Sequence, residues 1–149
     1  MATFPIFIDS NIPMYGGGRQ HLLRDPCRAI LRLVQEHPRA FWTNAEVLQE
    51  LVHRYRASGR WGQGRDVFEG FAMLMRGRVE SVIARDVEFG AQLVDQLPML
   101  DARDLVHLAV MQRVGADTLV SADRGFDQAP GIERLDPAGV AAWRSRVGR

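Results

Sequence analysis

The sequence predicts an α/β fold, three layers deep (α/β/α), with a central, mostly parallel sheet of four to five strands. Three observations carry that expectation. Short apolar runs alternate with segments of helical period along the whole chain. The runs Pro5–Ile8 and Thr118–Val120 are continuously apolar or nearly so, as in strands buried on both faces. Both run into acidic loops, at Asp9 and Asp123, and parallel sheets bind ligands beyond the carboxyl ends of their strands.

The elements follow in order. Pro5-Ile-Phe-Ile8 is the first strand, and Pro13 with Gly16-Gly-Gly18 reads as a flexible loop or hinge. No Lys-Ser or Lys-Thr follows the glycines, so a phosphate-cradling P-loop is excluded. Ile30, Leu31, Leu33 and Val34 recur at helical spacing between Pro26 and Gln35, and His37-Pro38 ends that helix. Ala40-Phe-Trp42 is a second strand, running into the N-cap candidates Thr43 and Asn44. A helix over 45–57 buries Val47, Leu48, Leu51 and Val52 and sets Glu46, Glu50 and Arg54 on one face. A Met- and Phe-rich helix spans 61–76, a strand 79–83, and a helix 86–96. Asp101 caps the next helix, whose body runs from Leu105 to Val114 before Gly115 stops it. Thr118-Leu-Val120 is the fourth strand, Ile132–Leu135 an edge strand, and Pro137–Arg146 a last short helix.

A chain of 149 residues fits one domain, here 1–149, with a single core. Its hydrophobic share of 46% and charged share of 25% are ordinary for a globular protein. The net charge of +1 gives no overall pull on nucleic acid, yet every one of the 19 basic residues is Arg. Base composition of the gene is the simplest account of that bias, although a guanidinium also suits phosphate. A single cysteine, Cys27, excludes an internal disulfide and a thiolate zinc cluster, and reads as a structural thiol. The amino terminus lacks a basic lead, and no segment approaches the ~20 apolar residues of a membrane span. The expected setting is the cytoplasm.

Each acidic residue taken alone has a plain structural explanation. Asp9 and Asp123 can form turns, Glu50 can pair with Arg54, and Asp104 can stabilise a helix start. Together they ask for more, because each sits on or beside an otherwise apolar element. Four carboxylates converging in a partly dry site repel one another, and a hard cation such as Mg²⁺ or Mn²⁺ removes that conflict. Metal-assisted phosphodiester hydrolysis is the chemistry such a site serves.

Ile8-Asp9-Ser10-Asn11, Glu46-Val-Leu-Gln-Glu50-Leu51, Ala102-Arg-Asp104-Leu-Val-His107-Leu-Ala109 and Leu119-Val-Ser121-Ala-Asp123-Arg-Gly-Phe126-Asp127 together resemble a PIN domain. The nearest group is the VapC-type toxins of bacterial toxin–antitoxin pairs, and the resemblance runs from Phe7 to about Pro137. It implies a PIN-like fold and a Mg²⁺- or Mn²⁺-dependent ribonuclease. Its catalytic metal ligands would be Asp9, Glu50, Asp104 and Asp123, with Asn11, Ser121 and Asp127 as supporting polar positions. It also implies an RNA substrate, a VapB-like antitoxin and a homodimer. The helix over 61–76 is a candidate part of the antitoxin groove, with core packing as the equal alternative. The roles of Asp101, Glu46 and His107 stay open.

Rival enzyme readings fail on particular residues. A phosphoryl-accepting receiver needs a Lys after its last strand, and the chain has none. A haloacid-type phosphatase needs Asp at both Asp9 and the position of Asn11. The remaining alternative is a non-catalytic PIN-like module that binds RNA or protein.

Overall fold

The computed structural model describes residues 5–148. Residues 1–4, on which the absence of a secretory leader was partly argued, lie outside that range. The described residues form five strands and seven α-helices. In chain order they are β1 (Ile6–Ile8), α1 (Asn11–Gly16), α2 (Arg24–Glu36), β2 (Phe41–Asn44), α3 (Ala45–Ala57) and α4 (Trp61–Leu74). Then come β3 (Val79–Glu80), α5 (Ala84–Gln92), α6 (Ala102–Val114), β4 (Thr118–Val120), β5 (Glu133–Leu135) and α7 (Val140–Trp143).

The sheet has the order β3-β2-β1-β4-β5, and every pairing is parallel. The α/β/α expectation therefore stands, with all five strands present and β5 on an edge. Phe7, Ile8, Phe41, Leu119 and Val120 are fully buried, which is why their runs read as apolar without alternation. α3 packs with α4 and α6, α6 with α5, and α2 with α1 and α7. The chain leaves β1 to build β2 and β3 on one side, then returns to lay β4 and β5 on the other. The order thus reverses between β1 and β4, the crevice in which open parallel sheets place ligands. The backbone N–H of Asp9 donates to Val120 O at 3.2 Å and joins the two strand ends there.

Four segments differ from expectation. The loop read from Pro13 to Gly18 lies largely in the helix α1, with Pro13 in its first turn, where a missing N–H costs nothing. Its glycines serve close packing rather than a hinge. A Cβ on Gly16 would lie 2.9 Å from Leu31 Cδ1, and one on Gly17 would lie 2.7 Å from Val67 Cγ2. β3 is only two residues long, and α5 runs 84–92 rather than 86–96. The last helix shrinks to four residues, flanked by 3₁₀ turns. By contrast α6 begins and ends as its residues dictate. Asp101 Oδ1 accepts from the Asp104 N–H at 3.0 Å, and Gly115 takes the left-handed turn at φ 81°.

α4 divides its apolar residues. Phe71 and Met75 just beyond it are buried in the core, whereas Met73 is exposed. None of the helices among the described residues is long and apolar enough to cross a membrane.

Candidate metal and active site

Asp9 leaves β1 with its carboxylate held from three sides. Oδ1 accepts from the Ser10 N–H at 2.8 Å, and Oδ2 accepts from Ser121 Oγ at 2.7 Å and Asn11 Nδ2 at 3.3 Å. Ser121, the first residue past β4, is itself saturated, accepting from Asn11 Nδ2 and from the Asp123 N–H, each at 3.0 Å. Asn11 closes the ring by accepting from the Ala122 N–H at 3.1 Å. Two strand ends more than a hundred residues apart in sequence are thus fastened by side chains.

Asp104 arrives from the first turn of α6. It is buried, and its carboxyl is pushed up to about 9, first by burial and then by the charges of Asp9, Asp101 and Asp123. Asp9 is also raised by burial and by Asp123 and Asp101, although Ser121 and Ser10 pull the other way. Asp123 is half-buried and spends Oδ1 on the Gly125 N–H at 2.8 Å. Three of the expected ligands, Asp9, Asp104 and Asp123, therefore stand in one another's field, and Asp104 meets it by keeping its proton.

Glu50 is placed differently. It is buried on α3, and Oε1 accepts from Ser10 Oγ at 2.8 Å, which links it to the Asp9 turn. Its other oxygen lies 3.1 Å from Arg54 Nε, the i,i+4 pairing that helix spacing allows, and 3.8 Å from Arg103 Nε. Arg103 also approaches Asp101, at 3.6 Å. Glu50 is thus a neutralised carboxylate at the margin of the cluster. Glu46 is half-buried one turn earlier, and its carboxyl is raised by burial and by the charge of Glu50.

His107, one turn beyond Asp104, is completely buried, and burial pushes its pKa down to about 4. Its proton can be placed from its neighbours. Asn44 Oδ1 caps α3 by accepting from the Val47 N–H at 3.0 Å, so the Asn44 amide nitrogen faces His107 Nδ1 at 3.0 Å. Nδ1 must accept, which puts the ring proton on Nε2. That Nε2 lies 3.7 Å from Asp9 Oδ1, and among the described residues it has no hydrogen-bond partner.

Asp127 is not brought into the cluster. It is exposed and forms a two-point pair with Arg134 of β5, at 2.8 and 3.2 Å. Arg134 in turn donates to the Ser121 carbonyl at 3.0 Å, so Asp127 reaches the site only through that side chain. Sequence reasoning missed Ser10 and the second role of Asn44. Asn44 was legible as a cap, but its hold on His107 spans 63 residues.

The donor set can be tested against a cation without one in place. Atoms of Asp9, Asp104 and His107 lie within 4.8 Å of one another. With its proton on Nε2, His107 turns a donor to the cluster, so the free ligand atoms are carboxylate oxygens, and two raised carboxyls in one buried site fit a divalent cation of the hard kind.

The PIN domain family matches residues 6–132. The chain belongs to the PIN-domain family. Within that family its curated relatives are VapC ribonucleases. Ribonuclease VapC13 of Mycobacterium tuberculosis is 38% identical over 133 residues, spanning 87% of this chain and 98% of the relative. Ribonuclease VapC23 of the same species is 38% identical over 126 residues, 83% of this chain and 97% of its own. Among solved structures, VapBC2 of Rickettsia felis bound to a promoter DNA fragment superposes with a TM-score of 0.67 at 18% identity. It covers 88% of this chain and 97% of that one. M. tuberculosis VapC20, a sarcin–ricin loop cleaving toxin, gives 0.66 at 21% identity over 84% of this chain and 95% of its own. At these identities the structures speak for the PIN fold. The carboxylate cluster lies where that fold reverses its strand order.

Proposed function

We propose that this PIN domain is a Mg²⁺- or Mn²⁺-dependent endoribonuclease toxin, restrained by a VapB-like antitoxin and acting on RNA as a homodimer. The single observation that carries the reading is the Asp9–Asp104–Asp123 cluster. It forces Asp104 to keep its proton near neutral pH unless positive charge arrives. A structural carboxylate would instead be given a cation, as Asp86 is by Arg113.

Asp9, Asp104 and Asp123 would hold the ion, with Glu50 completing the site at its edge. A divalent ion bound there would acidify a water and stabilise the charge that develops at the phosphorus oxygens. The protein's own residues do the remainder. Ser121, Ser10 and Asn11 fix both oxygens of Asp9, so that carboxylate enters the reaction already oriented. Asp104 would have to give up its proton to serve as a ligand, which would make ion binding pH-dependent. His107 stays neutral and turns its N–H toward Asp9. Relatives named ribonuclease, and a fold shared with VapBC complexes, support the substrate class and the partner.

The test is calorimetric titration of Mn²⁺ into the native chain and into Asp104→Asn, alongside cleavage of a labelled RNA. Binding with proton release and Mn²⁺-dependent cleavage, both lost in the variant, are the expected results. RNA binding without cleavage at saturating Mn²⁺ would return the non-catalytic module instead.

A further inference from the structure

A cleft of about 550 Å³ opens beside the carboxylate cluster. Asn11 lines one end, and its amide already bonds to Asp9 and Ser121. Arg54, the partner of Glu50, lines it as well. Arg19 and Arg60 line it too, and among the described residues no carboxylate lines the cleft. The cleft is thus one-signed on a chain whose net charge is only +1. The cleft also holds a prebuilt aromatic platform. Tyr15 and His21 stack across the glycine turn, with ring centres 4.6 Å apart and planes 22° apart. The Leu23 N–H donates to His21 Nδ1 at 3.1 Å, which fixes the ring and leaves its other nitrogen as the N–H.

We propose that this cleft is the single-strand track of the ribonuclease, with Arg19, Arg54 and Arg60 gripping phosphates and the Tyr15–His21 stack seating a base next to the scissile bond. The inference rests on the ribonuclease reading. Arginines along a groove supply the sequence-independent hold on a backbone, and an aromatic face accepts any base by stacking. A double helix has no unstacked base to offer such a platform, so the track selects single-stranded or looped RNA. Arg54 joins the two functions, because one guanidinium touches the margin of the carboxylate site and the wall of the track.

The test measures fluorescence anisotropy of a labelled ten-nucleotide RNA against the uncleaving Asp104→Asn protein. The same protein is then made with Arg19→Gln plus Arg60→Gln, or with His21→Ala. Arg19, Arg60 and His21 are all exposed, so the fold survives both changes, and melting curves check that it does. The arginine pair should weaken binding about tenfold or more and flatten the slope of log K against log salt by about 0.7 per residue. His21→Ala should weaken binding by roughly tenfold and leave the salt slope alone. A structural defect would not separate the two effects. In the otherwise native, cleaving background the same changes should raise KM more than they lower kcat. Undiminished binding by the variants, with cleavage intact in the native background, would overturn the track and leave the ribonuclease standing. Absence of both binding and cleavage in the native chain would remove both. Loss of antitoxin binding with RNA binding unchanged would assign the cleft to the protein partner and overturn the proposal.

Discussion

Two buried carboxylates occupy equivalent places on neighbouring helices and meet opposite treatment. Asp86 is the third residue of α5, and Asp104 is the third residue of α6. Their exposures are 2% and 8%, and the two helices pack together. Burial raises both. At Asp86 the fold answers it, since Arg113 Nε donates at 2.9 Å and Nη2 at 3.1 Å, and the Ile83 N–H at 2.9 Å. Those bonds outweigh burial and hold Asp86 below the usual carboxylate range. At Asp104 no cation among the described residues answers, and its neighbours are further acids, one of which, Asp123, shares a hydrogen bond with it. The cation that serves Asp86 stands on the last turn of the same helix that presents Asp104 on its first. The lesson is that this protein can neutralise a buried acid where the acid is structural. At the strand switch it leaves the charge for something from outside.

The sharpest way to press the contrast is Asp104→Asn. It should reduce RNA cleavage by about 10²-fold or more, as loss of transition-state charge stabilisation does. The same change should raise the melting temperature in EDTA, because it removes a strained acid rather than a bond. Arg113→Met should do the reverse. It strands Asp86 and should cost about 3–5 kcal/mol, a fall on the order of 10 °C, while cleavage by the folded fraction persists.

The two acids should also give opposite pH slopes in cation-free buffer. The folded chain keeps the Asp104 proton up to about 9, whereas the unfolded chain releases it near 3.8. The unfolded state then binds fewer protons, and stability should fall as pH rises through that window. Asp86 is depressed, so its contribution is present above the ordinary carboxylate range and is lost on acidification. Denaturant midpoints from pH 3 to 9 would read both, and Asp104→Asn should shrink the falling limb, to which the raised Asp9 and Glu46 also contribute, without removing the loss on acidification. The smallest effect belongs to Asp101→Ala, which removes the cap on α6 and should cost about 1 kcal/mol by thermal melting.

What could be read from the sequence was set by local chemistry. β1 and β4 were legible because strands buried on both faces cannot alternate, and the caps Asn44 and Asp101 because a helix start needs an acceptor. α1 was hidden, because Pro13 and three glycines look like a loop until neighbouring helices are close enough to need the missing side chains. The convergence of Asp9, Asp104 and Asp123 could be expected from their places at element ends. The Arg54 and Arg103 claims on Glu50 and the Arg134 claim on Asp127 could not be ranked in advance, since helix spacing suggests partners and only packing chooses among them. Tyr15, His21 and Arg60 carried no motif at all, and only folding assembles them into a cleft.

Asn44 gives the last consequence. Its oxygen starts a helix and its nitrogen decides which edge of His107 carries hydrogen. Asn44→Asp exchanges that nitrogen for oxygen and should leave the helix cap intact, since aspartate caps as well as asparagine. The new oxygen would call the ring hydrogen over to Nδ1 and turn a bare lone pair toward Asp9. Helix start and proton address are therefore written in a single amide, and a one-atom edit would separate them. Nitrogen-15 shifts of the ring would show the move directly.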